Sequence, residues 1–551
     1  MRSVKYNWVV GICLFISLIG FSQKKTPNIV MILIDDQNME EIATYGGKVY
    51  TPNMDRMAAE GIKFNRAFVS STVCTPSRYS FLTGRYAGNS YSNVYKKEVG
   101  EKGMGQPGFN VALENNNKNI AQVLRTAGYK TGFTGKYHLT SQYDQPEMFK
   151  GKNSFLKASH KMDKKQKVTS ETDKMFAQKE AWSRDYLKYI GFDWAKNVYE
   201  GNIERPYNVH NPEWNAAAVF EFLDESHKKP FFLQFCPTLL HGPDKEWVKS
   251  FDMPDLAGAG RMNVPASVME EREKLRSKLK DLGYDTESGV LGIAWIDNVI
   301  GQILDKLIEL GIDDNTLLIF APDHGSSTKA SLYSWDGAQI PLLMRWPNGI
   351  KAGVESDALV QNIDLAPTYF DLANAKVPND YHLDGRSLAP LFKNGKAKNW
   401  REHLYLELGY SRAILTDNWK YIGIRFDEKQ VKKIKGANLE KLPQLMSPLQ
   451  RLGIGVRGAS HPGFWDEDQL YLLDKDPKEM QNLAYDSEYS EELAEMKKIL
   501  TTYLTDIGRP FGELYDPEKN AANGQLADQI KLVKQIEIKG KKVTVPKDLK
   551  R

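Results

Sequence analysis

The stretch PNIVMILIDDQ, residues 27–37, sets six consecutive apolar residues directly before two aspartates. A short, continuous apolar run bounded by polar residues is typical of a strand buried on both faces of a parallel sheet. Similar runs follow at FFLQFC from residue 231 and at LLIFA from residue 317. We therefore expect a central sheet whose strands run in the same direction.

Helical patterns separate these apolar runs. One begins at Pro52 and closes at Gly61, a second covers residues 119–128, and a third repeats isoleucine and leucine at helical spacing from residue 293 to Gly311. Strands that alternate with helices predict an α/β fold with a large, mostly parallel sheet sandwiched by helices.

The pattern changes near residue 395. HLYLEL, RAILTD and WKYIGIRF predict short antiparallel strands, and EYSEELAEMKKILTTYL from residue 488 predicts an amphipathic helix. We therefore expect a large N-terminal domain over 24–395 and a smaller C-terminal α+β domain with an antiparallel sheet over 396–551. Residues 427–467 show no clear period and are predicted to form an insertion loop, and the chain ends in a basic tail.

Residues 1–23 have the pattern of a signal peptide. Arg2 and Lys5 precede an apolar run from Trp8 to Phe21, after which small and polar residues follow. The run is shorter than the roughly 20 apolar residues that a spanning helix needs, so no stable membrane anchor is expected. The chain has no N-x-[ST] glycosylation acceptor, which favours a bacterial protein that is exported to the periplasm or secreted.

Charge and cysteine content argue against two classes of protein. The 74 lysines and arginines nearly balance the 70 acidic residues, and a net charge of +4 gives no basis for nucleic-acid binding. Cys13 leaves with the signal peptide, so only Cys74 and Cys236 remain, too few for a disulfide-stabilised scaffold. The basic segment 150–174 fits either a solvated surface or the wall of an anion-binding groove.

Polar residues follow the ends of the predicted strands: Asp35, Asp36, Lys136, His138, His241, Asp323 and His324. In open α/β sheets, ligands bind outside the carboxyl ends of the strands, so these side chains are expected to share one crevice. The three aspartates offer oxygen ligands, which Ca²⁺ and Mg²⁺ prefer. The pattern therefore predicts a site for a divalent cation.

Cys74 opens the stretch CTPSRYSFLTG, in which Pro76 is a preferred first residue of a helix and Gly84 a plausible end. A side chain at a helix N-terminus faces amide donors and the positive end of the helix dipole, which favour an anion such as a thiolate nucleophile. A small buried hydrophobic residue is the alternative interpretation of a lone cysteine.

Several motifs together resemble those of the type I sulfatases of the alkaline phosphatase superfamily. CTPSR followed by LTGR is similar to the signature in which the family's cysteine is oxidised to formylglycine. The likeness continues, in the family's order, through PNIVMILIDDQ, TGFTGKYHL, PTLLHGP, NTLLIFAPDHG and QLYLLDKDPKEMQNLA. Bacterial carbohydrate sulfatases and iduronate-sulfatase-like members are the branches that the chain resembles.

The resemblance implies an alkaline-phosphatase-like fold and a role for individual residues. The implied cation ligands are Asp35, Asp36, Asp323 and His324, with calcium expected and magnesium as the alternative. The implied catalytic set is Cys74, Arg78, Lys136, His138, His241 and Lys329. Within this set, a formylglycine-generating maturation enzyme would convert Cys74 to formylglycine (3-oxoalanine).

Two positions depart from the common family pattern. His324 stands where many members have asparagine, and an imidazole is a less typical ligand for a hard cation than an oxygen. Lys329 lies in SSTKASLY rather than in a Gly-Lys-Gly setting.

The resemblance implies an exported enzyme that hydrolyses sulfate esters of a sulfated polysaccharide or oligosaccharide. His210 is a candidate for substrate contact, and so are Arg457 and His461 in the exposed-looking segment VRGASHPGFW. Related proteins with the same signature cleave phosphate diesters or phosphonate monoesters, which is the alternative reaction. From a different class, a non-catalytic glycan-binding protein is the remaining alternative, although every expected catalytic group is present.

Overall fold

The computed structural model of the chain describes residues 26–100, 103–140, 149, 167–202, 204–263, 272–438, 441–447, 449 and 461–515. The predicted signal peptide, the end of the basic tail and most of the basic segment 150–174 lie outside the described residues. Within them, the chain forms a large mixed sheet, a smaller antiparallel sheet and covering helices.

The strands are, in chain order, β1 Asn28–Ile34, β2 Ile62–Phe68, β3 Lys130–Lys136, β4 Trp194–Tyr199, β5 Phe231–Cys236, β6 Leu256–Ala257, β7 Gly260–Arg261, β8 Thr316–Pro322, β9 Gln339–Arg345, β10 Val354–Ser356, β11 Val360–Gln361, β12 Leu404–Leu408, β13 Ser411–Leu415, β14 Trp419–Ile424 and β15 Asp468–Leu472.

The helices are, in chain order, α1 Pro52–Ala59, α2 Cys74–Thr83, α3 Asn93–Val99, α4 Ile120–Thr126, α5 Ser170–Tyr189, α6 Pro212–Ser226, α7 Asp244–Phe251, α8 Arg272–Asp281, α9 Gly289–Glu309, α10 Leu365–Leu372, α11 Glu428–Lys435, α12 Leu442–Met446 and α13 Ser490–Ile507. None of the helices in the described part of the chain is both long enough and apolar enough to cross a membrane.

β1 lies inside the large sheet, whose strand order is β10-β2-β9-β8-β1-β5-β3-β4, with β11 also paired to β2. β1 is parallel to both of its neighbours, and β9 runs antiparallel to both of its own. Alternate residues of β1 enter different cores: Ile29 and Met31 pack with α2 and α4, and Val30 and Ile32 pack with α1 and α9. The predicted sheet sandwiched by helices is confirmed.

α2 begins at Cys74 and ends where Gly84 adopts the left-handed conformation, with φ +62°. The expectation that Pro76 is the first residue of this helix is wrong. The chain leaves its extended conformation at Val73, two residues earlier than expected, so Pro76 lies inside the first turn. Cys74 therefore belongs to the helix itself.

The C-terminal sheet consists of β12, β13, β14 and β15, each antiparallel to the next. α13 buries Met496, Leu500 and Leu504 in the core that this sheet shares. The predicted antiparallel sheet and amphipathic helix are confirmed, whereas the domain boundary at residue 395 stays a prediction.

The expectation of a loop over residues 427–467 is wrong where α11 and α12 form. Asp427 caps α11 because its side chain accepts a hydrogen bond from Gln430 N at 2.7 Å, and Val431 and Ile434 are buried. The helix is rich in lysine, so its short apolar face gives no clear hydrophobic period in the sequence.

A buried ion pair joins the C-terminal sheet to the segment after β8. Lys420 Nζ on β14 lies 2.8 Å from Glu479 Oε1, and neither side chain is exposed. Lys420 Nζ also donates to Ser334 Oγ at 2.9 Å, and Ser334 N donates to Glu479 Oε2 at 2.6 Å. The chain around Ser334 is thus held by the C-terminal sheet.

Lys420→Met is expected to lower the free energy of unfolding by about 3–5 kcal/mol, because it leaves the Glu479 carboxylate buried without its cation. Urea unfolding followed by tryptophan fluorescence measures the change. The double variant Lys420→Met/Glu479→Leu removes both charges and should lose clearly less stability. Equal losses in the two variants would contradict this explanation.

Candidate active site

Side chains from the ends of β1, β3, β5 and β8 and from the start of α2 meet at one edge of the large sheet. They are Asp35, Asp36, Cys74, Arg78, Lys136, His138, His241, Asp323 and His324, joined by Lys329 from the segment after β8. These four strands are parallel neighbours, so their carboxyl ends lie together. All of these side chains are buried except the half-buried His138 and His241.

The Asp35 carboxylate lies between two cations. Lys136 Nζ donates to Asp35 Oδ2 at 2.5 Å, and Arg78 Nη2 lies 3.4 Å from the same oxygen. Burial alone would raise the pKa of Asp35, but Lys136, His241 and Arg78 together hold it well below its usual range. Asp35 is therefore an ionised carboxylate inside the protein.

Arg78 is engaged by protein groups on three sides. Its Nε donates to Asp323 Oδ2 at 2.9 Å and its Nη1 donates to Lys136 O at 3.1 Å, in addition to the contact with Asp35. The side chain is 1% exposed. The guanidinium therefore fixes Asp35 and Asp323 in place.

Asp36 directs its side chain to other partners than Asp35 does. Its backbone is left-handed, with φ +56°, and its carboxylate keeps a ligand atom within 4.8 Å of ligand atoms on Asp35 and His241. Lys329 Nζ donates to Asp36 Oδ1 and Oδ2 at 2.7 and 3.0 Å, and His324 Nδ1 lies 3.1 Å from Oδ1. Lys329 reaches the cluster despite its unusual sequence surroundings.

Cys74 is the first residue of α2 and is 3% exposed. Burial alone would raise the pKa of its thiol, but Lys136 and Lys329 outweigh that effect and lower the pKa well below its ordinary value. A hydrogen bond between Cys74 and His138 acts in the same direction. The site therefore favours negative charge on the side chain at position 74.

Two buried polar atoms indicate where a cation fits. Asp35 Oδ1 has no hydrogen-bond partner, which is rare for a buried polar atom, and His324 Nε2 lies 3.6 Å from Asp323 Oδ1, beyond hydrogen-bond distance. Ligand atoms of Asp35, Cys74, Asp323 and His324 lie within 4.8 Å of one another. Burial disfavours the imidazolium, yet Asp323, with help from Asp36, raises the pKa of His324 to about 9, so this position attracts positive charge. Asp35 and Asp323 supply oxygen donors, which Ca²⁺ and Mg²⁺ prefer, whereas His324 supplies a softer nitrogen donor.

His241 has a ligand atom within 4.8 Å of ligand atoms on Asp35 and Asp36, and it is also joined to the cluster through Asn202. Lys136 Nζ donates to Asn202 Oδ1 at 2.7 Å, and Asn202 Nδ2 lies 3.3 Å from His241 Nε2. An ammonium can only donate, so the amide oxygen faces Lys136 and the amide nitrogen donates to the imidazole. Asn202 thus links the lysine and the histidine.

Sequence patterns did not single out Asn202, although a signal exists. It follows β4 by three residues, so it obeys the same strand-end rule as Asp35. β4 reads WAKNVY and keeps Trp194, Lys196 and Asn197 only half-buried, as an edge strand does. Because β4 has no continuous apolar run, the sequence pattern that located β1 does not detect it.

His210 and His241 both contact Thr238. His210 Nδ1 is 3.0 Å from Thr238 Oγ1, and His241 N donates to Thr238 O at 2.8 Å. Burial, followed by the charge of His241, lowers the pKa of His210 to about 3, so its imidazole is neutral. His210 therefore packs in the turn that carries His241.

His461 does not lie on an exposed segment, and that expectation is wrong. It is 5% exposed, its ring stacks on Tyr333 with 3.8 Å between centroids, and its Nε2 lies 3.1 Å from Lys478 O. The packing of the C-terminal sheet against the segment after β8 covers it. Arg457 lies outside the described residues.

The profile of the family described as Sulfatase matches residues 27–375, which is more than half of the chain. The protein belongs to the sulfatase family. A second profile, described as N-sulphoglucosamine sulphohydrolase, C-terminal, matches residues 323–436. The predicted membership of the type I sulfatases of the alkaline phosphatase superfamily is confirmed, and the sulfatase is a sulfuric ester hydrolase.

Relatives of the sulfatase are similar along most of its length. It is 24% identical over 527 residues to the N-acetylglucosamine-6-O-sulfatase of Bacteroides thetaiotaomicron, with 87% of this chain and 86% of the relative covered. It is 25% identical over 498 residues to an ulvan-active sulfatase of Formosa agariphila, with 88% and 82% covered.

A solved structure shares the fold of the sulfatase. It is that of a protein in complex with its substrate D-glucosamine-2-N,6-O-disulfate, with a TM-score of 0.54 and 19% identity, and the match covers 88% of this chain and 98% of that one.

Calcium is expected to raise the melting temperature of the metal-stripped sulfatase, because the ion would engage Asp35 Oδ1 and His324 Nε2. At a Ca²⁺ concentration of roughly 100 times Kd, the stabilisation should reach about 2.7 kcal/mol. Differential scanning calorimetry measures the shift, and Mg²⁺ provides the comparison. His324→Ala should reduce the shift, whereas Asp417→Asn, at an exposed carboxylate, should not. A shift that is the same in all three proteins would contradict this site.

Asn202→Ala is expected to lower kcat for sulfate ester hydrolysis by about tenfold, because it removes a hydrogen-bond partner from a buried ammonium and unlinks it from His241. Steady-state kinetics with a chromogenic aryl sulfate measure the loss. Asn65→Ala, whose amide contacts exposed carboxylates, is the matched control and should keep the wild-type kcat. An unchanged kcat in Asn202→Ala would rule out this role.

Proposed function

We propose that the protein is an exported carbohydrate sulfatase that acts through Cys74 as formylglycine and through a calcium ion held by Asp35, Asp36, Asp323 and His324. The observation that carries this proposal is the position of Cys74. Its side chain begins α2 inside the charge cluster, within 4.8 Å of ligand atoms on Asp35, Asp323 and His324. The CTPSR sequence around it supports the oxidation.

The charge balance of the cluster supports an anionic substrate. The carboxylates of Asp35, Asp36 and Asp323 are matched by the three cations Arg78, Lys136 and Lys329. A divalent ion would therefore leave the site positively charged, and a sulfate ester would neutralise part of that charge. Calcium would supply Lewis-acid stabilisation of oxygens that gain negative charge.

Residue 74 supplies the nucleophile. As a hydrated aldehyde, it offers one oxygen to attack sulfur and displace the alcohol, and a second hydroxyl whose deprotonation lets sulfate leave by cleavage of the carbon–oxygen bond. A serine at this position lacks the second hydroxyl. Its sulfate ester would have no such exit.

The other residues bind, orient and move protons. Lys136 and Lys329 bear ammonium groups beside residue 74 and would stabilise the sulfate oxygens, while Arg78 holds the carboxylates that face them. His138 contacts the side chain at position 74 and would take its proton. Burial lowers the pKa of His241, so its imidazole is mostly neutral at pH 7 and would have to gain a proton before it protonates the leaving oxygen.

The names of two relatives, an N-acetylglucosamine-6-O-sulfatase and an ulvan-active sulfatase, support a carbohydrate substrate. The signal-like residues 1–23 support export to the periplasm or the medium of a bacterium. A formylglycine-generating enzyme is the partner that the oxidation of Cys74 requires. His210 is reassigned from substrate contact to support of His241, and a substrate role for Arg457 stays a prediction.

The proposal predicts that protein made with a maturation enzyme hydrolyses 4-nitrophenyl sulfate faster than bis(4-nitrophenyl) phosphate, and that it desulfates members of a panel of sulfated oligosaccharides. Released sulfate is measured by ion chromatography. Intact mass spectrometry checks the conversion of Cys74 in the same sample. Faster turnover of the phosphodiester would favour the alternative reaction.

Cys74→Ser is the matched control for this assay. It should keep the melting temperature of the unconverted protein and lose multiple turnover, because its sulfate ester cannot be released. Sustained turnover by Cys74→Ser would refute the formylglycine mechanism. If the converted wild-type protein released no sulfate from any ester but bound the oligosaccharides, the non-catalytic glycan-binding alternative would replace the proposal.

A further inference from the structure

A cavity of about 380 Å³ lies beyond the far end of α2, between the segment 384–404 and α13. Asp384 fixes this segment to the helix end, since Asp384 N donates to Gly84 O at 3.0 Å and Tyr86 N donates to Asp384 Oδ2 at 2.7 Å. The ten residues of α2 rise about 15 Å. The cavity is therefore separate from the site at Cys74, and no residue of the proposed mechanism lines it.

Two arginines in the cavity wall share one indole. The guanidinium carbons of Arg386 and Arg401 lie 5.5 and 5.6 Å from the ring centre of Trp400. Trp400 Nε1 donates to Leu359 O at 2.8 Å, so the indole is held in a fixed orientation. Rigid aromatic surface beside guanidinium groups is suited to a ligand with both apolar and anionic parts.

Only one of the two arginines has a carboxylate partner among the described residues. Arg401 donates to Asp364 Oδ2 and Oδ1 at 2.9 and 2.5 Å. Arg386 is exposed and forms no ion pair with a carboxylate in the described ranges. Burial and the neighbouring Arg401 lower the pKa of Arg386, and Asp364, which Arg401 already engages, compensates its charge only in part.

The acidic residues of the wall do not supply that compensation. The Asp384 carboxylate already accepts from Tyr86 N and from Asn89 Nδ2. Glu402 also lines the cavity and is exposed, and it lies outside ion-pair distance of Arg386. Glu402 therefore opposes anion binding, so removing its charge should strengthen the binding of an anion in the cavity.

A second group of cations continues from the cavity. Beyond Asn89, the guanidinium carbon of Arg85 lies 4.3 Å from the ring centre of Tyr91, which is 48% exposed. Lys96 Nζ and Lys118 Nζ lie 5.7 and 5.8 Å from the same ring. Arg85 is 2% exposed and Lys118 Nζ already pairs with Asp380 Oδ2 at 2.6 Å, so this group adds little free positive charge beside the cavity.

We propose that this cavity binds a sulfated sugar unit of the carbohydrate substrate at a second site, away from the reacting ester. Arg386 binds the sulfate group, and Trp400 and Tyr503 line the cavity beside it. The volume lies within the range of small-molecule sites. This inference rests on the proposed carbohydrate substrate.

Calorimetric titration of the Cys74→Ser protein with a dextran sulfate oligosaccharide tests the site without turnover. In the Cys74→Ser background, Arg386→Ala should weaken binding of the oligosaccharide by about tenfold, as expected for loss of a charge-assisted hydrogen bond. Added Glu402→Gln should strengthen binding, because a repelling charge is removed. Lys393→Ala, an exposed lysine outside the cavity, is the matched control and should bind unchanged.

Unsulfated dextran and inorganic sulfate are the two ligand controls. Either one binding as tightly as the sulfated oligosaccharide would overturn the proposal, and so would unchanged affinity in Arg386→Ala and Glu402→Gln. In the Cys74-converted enzyme, Arg386→Ala should raise KM for sulfated polysaccharide and leave kcat/KM for 4-nitrophenyl sulfate unchanged. The proposed function fails by a different result, the absence of sulfate release from every carbohydrate by the unsubstituted enzyme.

Discussion

Asp35 remains ionised inside the protein because Lys136 and Arg78 hold its carboxylate from two sides. Burying an isolated carboxylate in the interior would cost several kcal/mol, so the fold must bring the aspartate, the lysine and the arginine into contact with one another. β1 brings the first, β3 the second and α2 the third. The strand order of the sheet is therefore coupled to the electrostatics of the site. Lys136, together with Lys329, also lowers the pKa of the group at position 74, against the opposing charge of Asp35.

The backbone at the strand ends separates functions that lie next to each other in sequence. Asp36 and His138 both have φ +56°, a conformation that costs a non-glycine residue free energy. Asp36 pairs with Lys329, whereas the adjacent Asp35 pairs with Lys136 and Arg78. His138 lies two residues after Lys136. Local strain thus lets one short segment serve two parts of the cluster.

Much of this arrangement could be predicted from the sequence. Continuous apolar runs identified β1, β5 and β8 because these strands are buried on both faces, and the polar residues after them located the cluster. The burial of His461 and the link through Asn202 could not be found in this way. Both depend on packing between distant segments, and neither leaves a periodic signal in its own stretch of sequence.

The tie between Lys420, Glu479 and Ser334 has a consequence for the order in which the protein can be assembled. Ser334 lies five residues after Lys329, so the lysine that contacts Asp36 stands in a segment that the C-terminal sheet holds in place. A chain that emerges from its N-terminus completes β1 and α2 long before β14 and Glu479 are made. Cys74 is therefore synthesised well before the C-terminal residues that hold the segment of Lys329 in place beside it.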